Sequence, residues 1–106
     1  MFFIRNVTMK LKPNTTAPEF NRLIENDILP FLRTQTGFRD EITFVAPERL
    51  EAVAISFWET KENLETYNST GYPELLKIVD KVVDGTPKVE TFELTTSTLH
   101  KLAAKA

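Results

Sequence analysis

Asn6, in the run FFIRNVTMKL (residues 2–11), is the first side chain here that asks for a chemical reason. Asparagine is depleted in strands, yet this one sits in the middle of an apolar run. If Asn6 faces a covering layer, its amide must be hydrogen-bonded, either to protein or to something bound. A bound partner would make it a candidate site residue. Ile4 and Thr8 share its side of the strand. The plainer reading is an asparagine partly exposed at the edge of the layer. A second constellation is Ala52, Ala54, Ser56 and Trp58, four alternate residues of EAVAISFW (51–58). Three small side chains followed by the largest one leave volume above a sheet. Phe20 and Ile24 from one helical stretch, and Tyr67 and Tyr72 from another, stand over that gap. Gly71 and Pro73 interrupt the cover where a mouth could open. An apolar, aromatic-lined pocket with a few polar anchors is the usual form of a small-molecule site. Filling of the same gap by Phe20, Ile24 and Tyr67 is the alternative.

Much other chemistry is excluded by residue type. The chain has no cysteine and one histidine, His100, so a thiolate nucleophile, a disulfide or a histidine–cysteine metal site cannot be assembled. The three glycines, Gly37, Gly71 and Gly85, are far apart and form no phosphate loop. No cofactor and no metal are therefore expected. Carboxylates are numerous but placed where solvent or helix ends account for them: Glu19, Glu25 and Asp27 on one helical stretch, Glu59, Glu62 and Glu65 near the start of the other. Arg39, Asp40 and Glu41 read as a solvated strand edge. Thirteen basic against fifteen acidic residues give a net charge of −2, which leaves no basic face for nucleic acid. No segment approaches the roughly 20 apolar residues of a membrane span. The N-terminal apolar run is shorter than a signal peptide needs, so a cytoplasmic location is expected.

The elements that must position these residues follow from periodicity. Residues 2–11 alternate as a strand, with Val7, Met9 and Leu11 on one face and Phe2, Ile4, Asn6 and Thr8 on the other. In APEFNRLIENDILPFLRTQ the apolar residues Phe20, Leu23, Ile24, Ile28, Phe31 and Leu32 recur at helical spacing, with Thr16 as N-cap. Pro30 has no N–H and predicts a kink near residues 26–29. A second strand runs over 38–47, with Ile42 and Phe44 expected beside Phe38 and Val45 opposite. ERLE makes a hairpin link to the third strand, 51–58. Thr60 caps a second helix, broken at Gly71, restarted at Pro73 and closed by Asp84-Gly85. The fourth strand is expected over 88–95. The order strand-helix-strand-strand-helix-strand describes an α+β, ferredoxin-like domain over 1–96, with both helices on one face of an antiparallel sheet. A tail, 97–106, could add a short docking helix. Two layers leave the second sheet face bare, and each large apolar side chain left wet forgoes about 1.5–3 kcal/mol. A second copy of the sheet is the natural cover, so a two-fold homodimer is expected. Which face of the first strand meets the helices stays open at this level.

The segments TGFRDEITFVAPE and EAVAISFWETKENLETYNSTGYPELL, within residues 36–76, resemble the dimeric α/β-barrel superfamily that includes the antibiotic biosynthesis monooxygenases. The likeness lies in Gly-Phe at a strand start, a hairpin, a strand ending in Trp-Glu, a Lys-Glu helix opening, and an aromatic residue on that helix. It implies a ferredoxin-like monomer whose sheet pairs with its mate to enclose a barrel, and a ligand cleft between sheet and helices. Some members oxidise phenolic or polyketide substrates without a cofactor. Related members degrade haem with an Asn on the first strand and a Trp and His on the second helix region. Asn6 matches the first, Tyr67 stands near the Trp position, and Lys77 stands near the haem-ligating His, where a lysine argues against haem. Trp58 matches a structural Trp of the family's third strand. The function implied is a monooxygenase-like oxidation of a phenolic or polyketide-like compound, with Asn6 as the catalytic residue, donating to the developing oxyanion or peroxide. The competing reading is a non-catalytic dimeric domain that binds a small hydrophobic ligand or serves assembly.

Overall fold

A computed structural model describes residues 2–99. Four strands, β1 (Phe3–Leu11), β2 (Phe38–Ala46), β3 (Glu51–Trp58) and β4 (Val83–Glu93), form one antiparallel sheet in the order β2-β3-β1-β4. Two helical segments, 17–33 and 61–79, cover one face. This is the ferredoxin-like β-α-β-β-α-β arrangement expected from the sequence. Residues 100–106, His100 among them, lie outside the described residues, and with them most of the docking helix expected over 97–106. No helix among the described residues is long and apolar enough to cross a membrane.

Both helical segments start as their sequences dictate. The Thr16 hydroxyl accepts from the Glu19 N–H at 3.3 Å and donates to Glu19 Oε1 at 3.0 Å, while Thr60 accepts from the Asn63 N–H at 3.0 Å. Neither segment breaks at its proline. Each widens by one π turn, Ile24–Ile28 and Tyr67–Gly71, where the N–H of Leu29 reaches back five residues to Ile24 O and that of Tyr72 to Tyr67 O. Pro30 and Pro73 stand one residue after each π turn's closing donor. A prolyl ring donates no hydrogen bond and crowds the carbonyl four residues back, here Asn26 and Ser69, and the wider turn relieves that crowding. The kink expected near 26–29 is thus a π turn, and the interruption expected at Gly71 is the second one.

The face question left open by the sequence is resolved by the register. Val7, Met9 and Leu11 pack under the helices with Ala52, Trp58, Phe20, Ile24, Ile28, Leu32, Leu64 and Leu75. Their alternates Ile4, Asn6 and Thr8 pair across with Phe57, Ile55 and Val53 on the uncovered face. Three further expectations are corrected. Ile42 and Phe44 do not share the face of Phe38. The ladder shifts between Phe38 and Asp40, and this bulge turns Phe38 toward Trp58 while Ile42 and Phe44 point to the open face, 42% and 51% exposed. Val82 and Val83 do not continue the second helix, which stops at Val79. β4 starts at Val83 rather than Lys88, because the ladder to β1 skips residues between Asp84 and Lys88. Gly85, at φ +80°, and Pro87, without an N–H, occupy that irregular stretch, where neither has to continue the ladder.

Candidate functional site

Ser56, one of the small side chains of β3 on the helix-facing side of the sheet, is the centre of the site. In the ladder Ser56 pairs with Arg5 of β1 on one side and Glu41 of β2 on the other. These three residues form a single row across the helix-facing side, a cation and a carboxylate flanking the smallest polar side chain. The bulge that reverses Ile42 and Phe44 is also what turns Glu41 inward. Above the row lies a cavity of about 40 Å³, lined by Arg5, Glu41, Ser56, Ala54, Tyr67 and Tyr72, with an apolar wall from Ile24, Ile28 and Leu32 of the first helical segment. At the ~10–15 Å³ that one water occupies on this measure, it holds roughly three waters.

Arg5 is 2% exposed. Its guanidinium donates twice to Asn68 Oδ1, from Nε at 3.1 Å and Nη2 at 2.9 Å, and lies 3.8 Å from the ring centroid of Tyr72 and 5.2 Å from that of Tyr67. No carboxylate among the described residues is within ion-pair distance of it. Burial lowers its pKa, countered by the two tyrosines. It nevertheless stays a cation, since arginine does not deprotonate in proteins. Tyr67 stacks on Trp58 at 4.7 Å, and the indole Nε1 donates to Ser56 Oγ at 2.9 Å. Burial drives the Tyr67 phenol well above its ordinary range, with Arg5 acting in the opposite sense, so Tyr67 is a neutral group at all working pH values. The Tyr72 Oη is buried and has no hydrogen-bond partner among the described residues. Glu41 accepts a hydrogen bond from the Thr43 hydroxyl through Oε2. Burial raises its pKa, and the Thr43 bond only partly offsets that.

The sequence-derived candidates divide into three groups. Ile24, Ser56, Tyr67 and Tyr72 come together at the cavity. Phe20 and Trp58 are fully buried and pack beside it, Phe20 as core and Trp58 as the plate behind Tyr67. Ile4, Asn6 and Thr8 lie on the other side of the sheet, so Asn6 does not reach the cavity; its Nδ2 donates to Thr8 Oγ1 at 3.4 Å. Strand alternation is the reason, because Arg5 and Asn6 cannot point the same way. Lys77 is exposed and pairs with Glu74 at 3.3 Å. Arg5 and Glu41 were the residues that sequence reasoning passed over. A basic residue in mid-strand, in phase with Val7, Met9 and Leu11, was the signal for Arg5. For Glu41 the alternation misleads, since the bulge that reverses it has no mark in FRDEITF. Among the described residues no group of three His, Asp or Glu side chains stands together as a metal site.

No protein-family model and no curated protein matches this chain. Solved structures do. A protein of unknown function from Nitrosomonas europaea superposes with a TM-score of 0.71 at 15% identity, covering 92% of this chain and 93% of its own. A monooxygenase from Streptomyces coelicolor, solved with the ligand nanaomycin D, gives 0.72 at 17% identity over 92% and 90%. A cofactor-independent oxygenase from Streptomyces nogalater gives 0.68 at 13% identity over 92% and 96%. At such identities the likeness is one of architecture: the chain shares the ferredoxin-like fold of these structures.

Proposed function

We propose that this protein binds a small aromatic compound carrying an ionisable hydroxyl in the cavity above Ser56, and that it acts on this compound as a monooxygenase-like enzyme without a bound cofactor. The observation that carries the reading is Arg5, a buried cation with no carboxylate within ion-pair distance, held in place by Asn68 and Tyr72 at the wall of an otherwise apolar cavity. A buried charge needs a counter-charge, and the anion of a phenol or enol supplies one along with a ring for the aromatic wall. Such an anion is electron-rich enough to reduce dioxygen itself. For an anthrone the balance closes with no further reductant: the ring CH₂ becomes C=O, one oxygen atom enters the product, and the other leaves as water with the two hydrogens. Arg5 would hold the anion's oxygen through the reaction. The two Streptomyces oxygenases of the same fold support this choice of chemistry.

The bare sheet face supports a two-fold dimer. Phe44 and Phe92 are each 51% exposed there and Ile42 42%, around a small cluster of Phe2, Phe57, Ile4 and Ile55. A second copy of the sheet is the cover we infer. A cavity of about 40 Å³ admits a ring only if its walls part, which suits a second reading, a dimeric domain that binds a small hydrophobic ligand or serves assembly and turns nothing over. Oxygen uptake with anthrone and substituted hydroquinones separates the two. Uptake above the enzyme-free rate, reduced about 10- to 150-fold in Arg5→Met by loss of a charged hydrogen bond worth ~1.5–3 kcal/mol, supports the enzyme. Ligand binding without uptake supports the module, and uptake unaffected by Arg5→Met removes the role assigned to Arg5.

A further inference from the structure

We propose that Glu41 is the proton acceptor of this site, taking the hydroxyl proton of a ligand bound between it and Arg5. The inference rests on the reading of the cavity given above and adds the group that makes the anion. Glu41 and Arg5 stand two strand spacings apart, about 10 Å between backbones, with only Ser56 between them in the row. A hydroxyl-bearing ring over Ser56 would meet the carboxylate from one side and the guanidinium from the other. Glu41 Oε2 is occupied by the Thr43 hydroxyl, whereas Oε1 has no hydrogen bond among the described residues. No lysine or arginine among these residues forms an ion pair with Glu41.

The neighbouring groups leave Glu41 as the base. Arg5 faces the cavity from β1, and Tyr67 and Tyr72 from the second helical segment; the first helical segment contributes Ile24, Ile28 and Leu32, none of which titrates. Arg5 is a fixed cation, and Tyr67 is held neutral by burial. Glu41 is the one carboxylate lining the cavity. Its basicity is raised by the same burial, which moves it toward the range of acidic phenols, as proton transfer requires. The step balances without any other reactant. The ligand O–H bond breaks, its proton joins Glu41 Oε1, and the electron pair stays on the ligand oxygen. One negative charge moves from Glu41 to the ligand, toward Arg5, and the net charge of the site is unchanged.

The probe is 4-nitrophenol, whose phenolate is coloured and whose phenol is not. It is titrated into the full chain at a pH about one unit below its own ionisation, where roughly a tenth is phenolate in water. The expected result for the wild type is saturable binding with most of the bound probe as phenolate. Glu41→Gln leaves Arg5 without a counter-charge and should still hold the probe as phenolate, but it should release about one proton per probe to the buffer, whereas wild type and Glu41→Asp, keeping that proton on the carboxylate, should release almost none. On the wild-type protein itself, infrared difference spectra should show a protonated carboxyl appearing when the probe binds, so the proposal stays testable if the glutamine variant does not fold. Proton release equal in wild type and Glu41→Gln, or no new protonated carboxyl on binding, overturns the role of Glu41 while leaving the binding reading intact. Absence of any saturable binding by the wild type overturns both together.

Discussion

Replacing Phe44 by alanine tests the dimer at one of the two most exposed aromatic rings of its face. Phe44 is 51% exposed in the single chain. An aromatic side chain buries about 150–250 Å², so roughly 100 Å² of Phe44 remains to be covered by a partner. At ~25 cal/mol per Å² that is about 2.5 kcal/mol, of which the alanine methyl keeps a minor part. A two-fold interface contains the residue twice, so the substitution weakens the dimer by roughly 4 kcal/mol, about three orders of magnitude in Kd. Truncation leaves the fold intact, because Phe44 takes no part in the core beneath the helices. Sedimentation equilibrium across nanomolar to millimolar protein, with circular dichroism to verify folding, measures the change. A wild-type chain that is monomeric at micromolar concentration refutes the argument that the open face needs a second copy. A Phe44→Ala dimer as tight as wild type places the interface elsewhere and refutes the face assignment.

Three other outcomes follow from the same geometry. Asn6→Ala should leave oxygen uptake within about twofold of wild type, since a side chain on the opposite face of the sheet has no contact with the cavity to lose; a loss comparable to Arg5→Met would restore the strand-one asparagine as a site residue. Gly71→Ala should destabilise the protein by about 1–3 kcal/mol in urea unfolding, because a Cβ there would lie 2.6 Å from Gln35 Oε1 and 2.7 Å from the Tyr67 ring; an unchanged midpoint would mean that Tyr67 has room to move. The raised pKa of Glu41 has a sign that can be checked. In the unfolded chain the group ionises near its ordinary 4.5, and in the folded protein above it, so folding stability from this group is full below pH 4.5 and declines as pH rises through the window up to the folded value. Glu41→Gln should therefore gain stability relative to wild type as pH rises from 4 to 7 in denaturant titrations, and a parallel pair of pH profiles would show that Glu41 is not burdened by burial.

Most of the framework was readable because it rests on local rules. Thr16 and Thr60 cap helices as threonines before an acidic first turn do. The small-small-small-large series Ala52, Ala54, Ser56, Trp58 marked the thin part of the sheet, and the cavity lies over its middle. What could not be read was phase. One inserted residue between Phe38 and Asp40 reverses every later side chain of β2, and that insertion exchanged Glu41 for its neighbours at the cavity wall. Phase also left β1 undecided. The apolar set Val7, Met9, Leu11 fits either face of a two-layer sheet, and the deciding fact is that Arg5 finds its partners, Asn68, Tyr67 and Tyr72, only on the helix side. Prolines were legible as disturbance but not as kind, since the same ring can break a helix or widen it by a residue.

The π turns give the site its last constraint. Each delivers aromatic or branched side chains to the cavity, Ile24 and Ile28 from one and Tyr67 from the other, with Tyr72 directly after it. If Pro73 is the cause of the second turn, Pro73→Ala removes the reason for it. The alanine N–H can then bond to Ser69 O, and the helix can tighten to regular α geometry. Losing the extra residue of that turn rotates everything beyond Gly71 by about 100° relative to Tyr67, as one residue does in a 3.6-residue turn. Tyr72 would leave the face of the Arg5 guanidinium, now 3.8 Å away. The contact can be followed by the arginine Nε resonance, which an aromatic ring stacked on the guanidinium shifts strongly. A crystal structure of the variant that retains the Tyr72-to-Tyr67 bond would show that helix packing, and not the proline, holds the π turn; loss of that bond together with the ring-current shift would establish that the sequence positions Tyr72 through a proline one residue away.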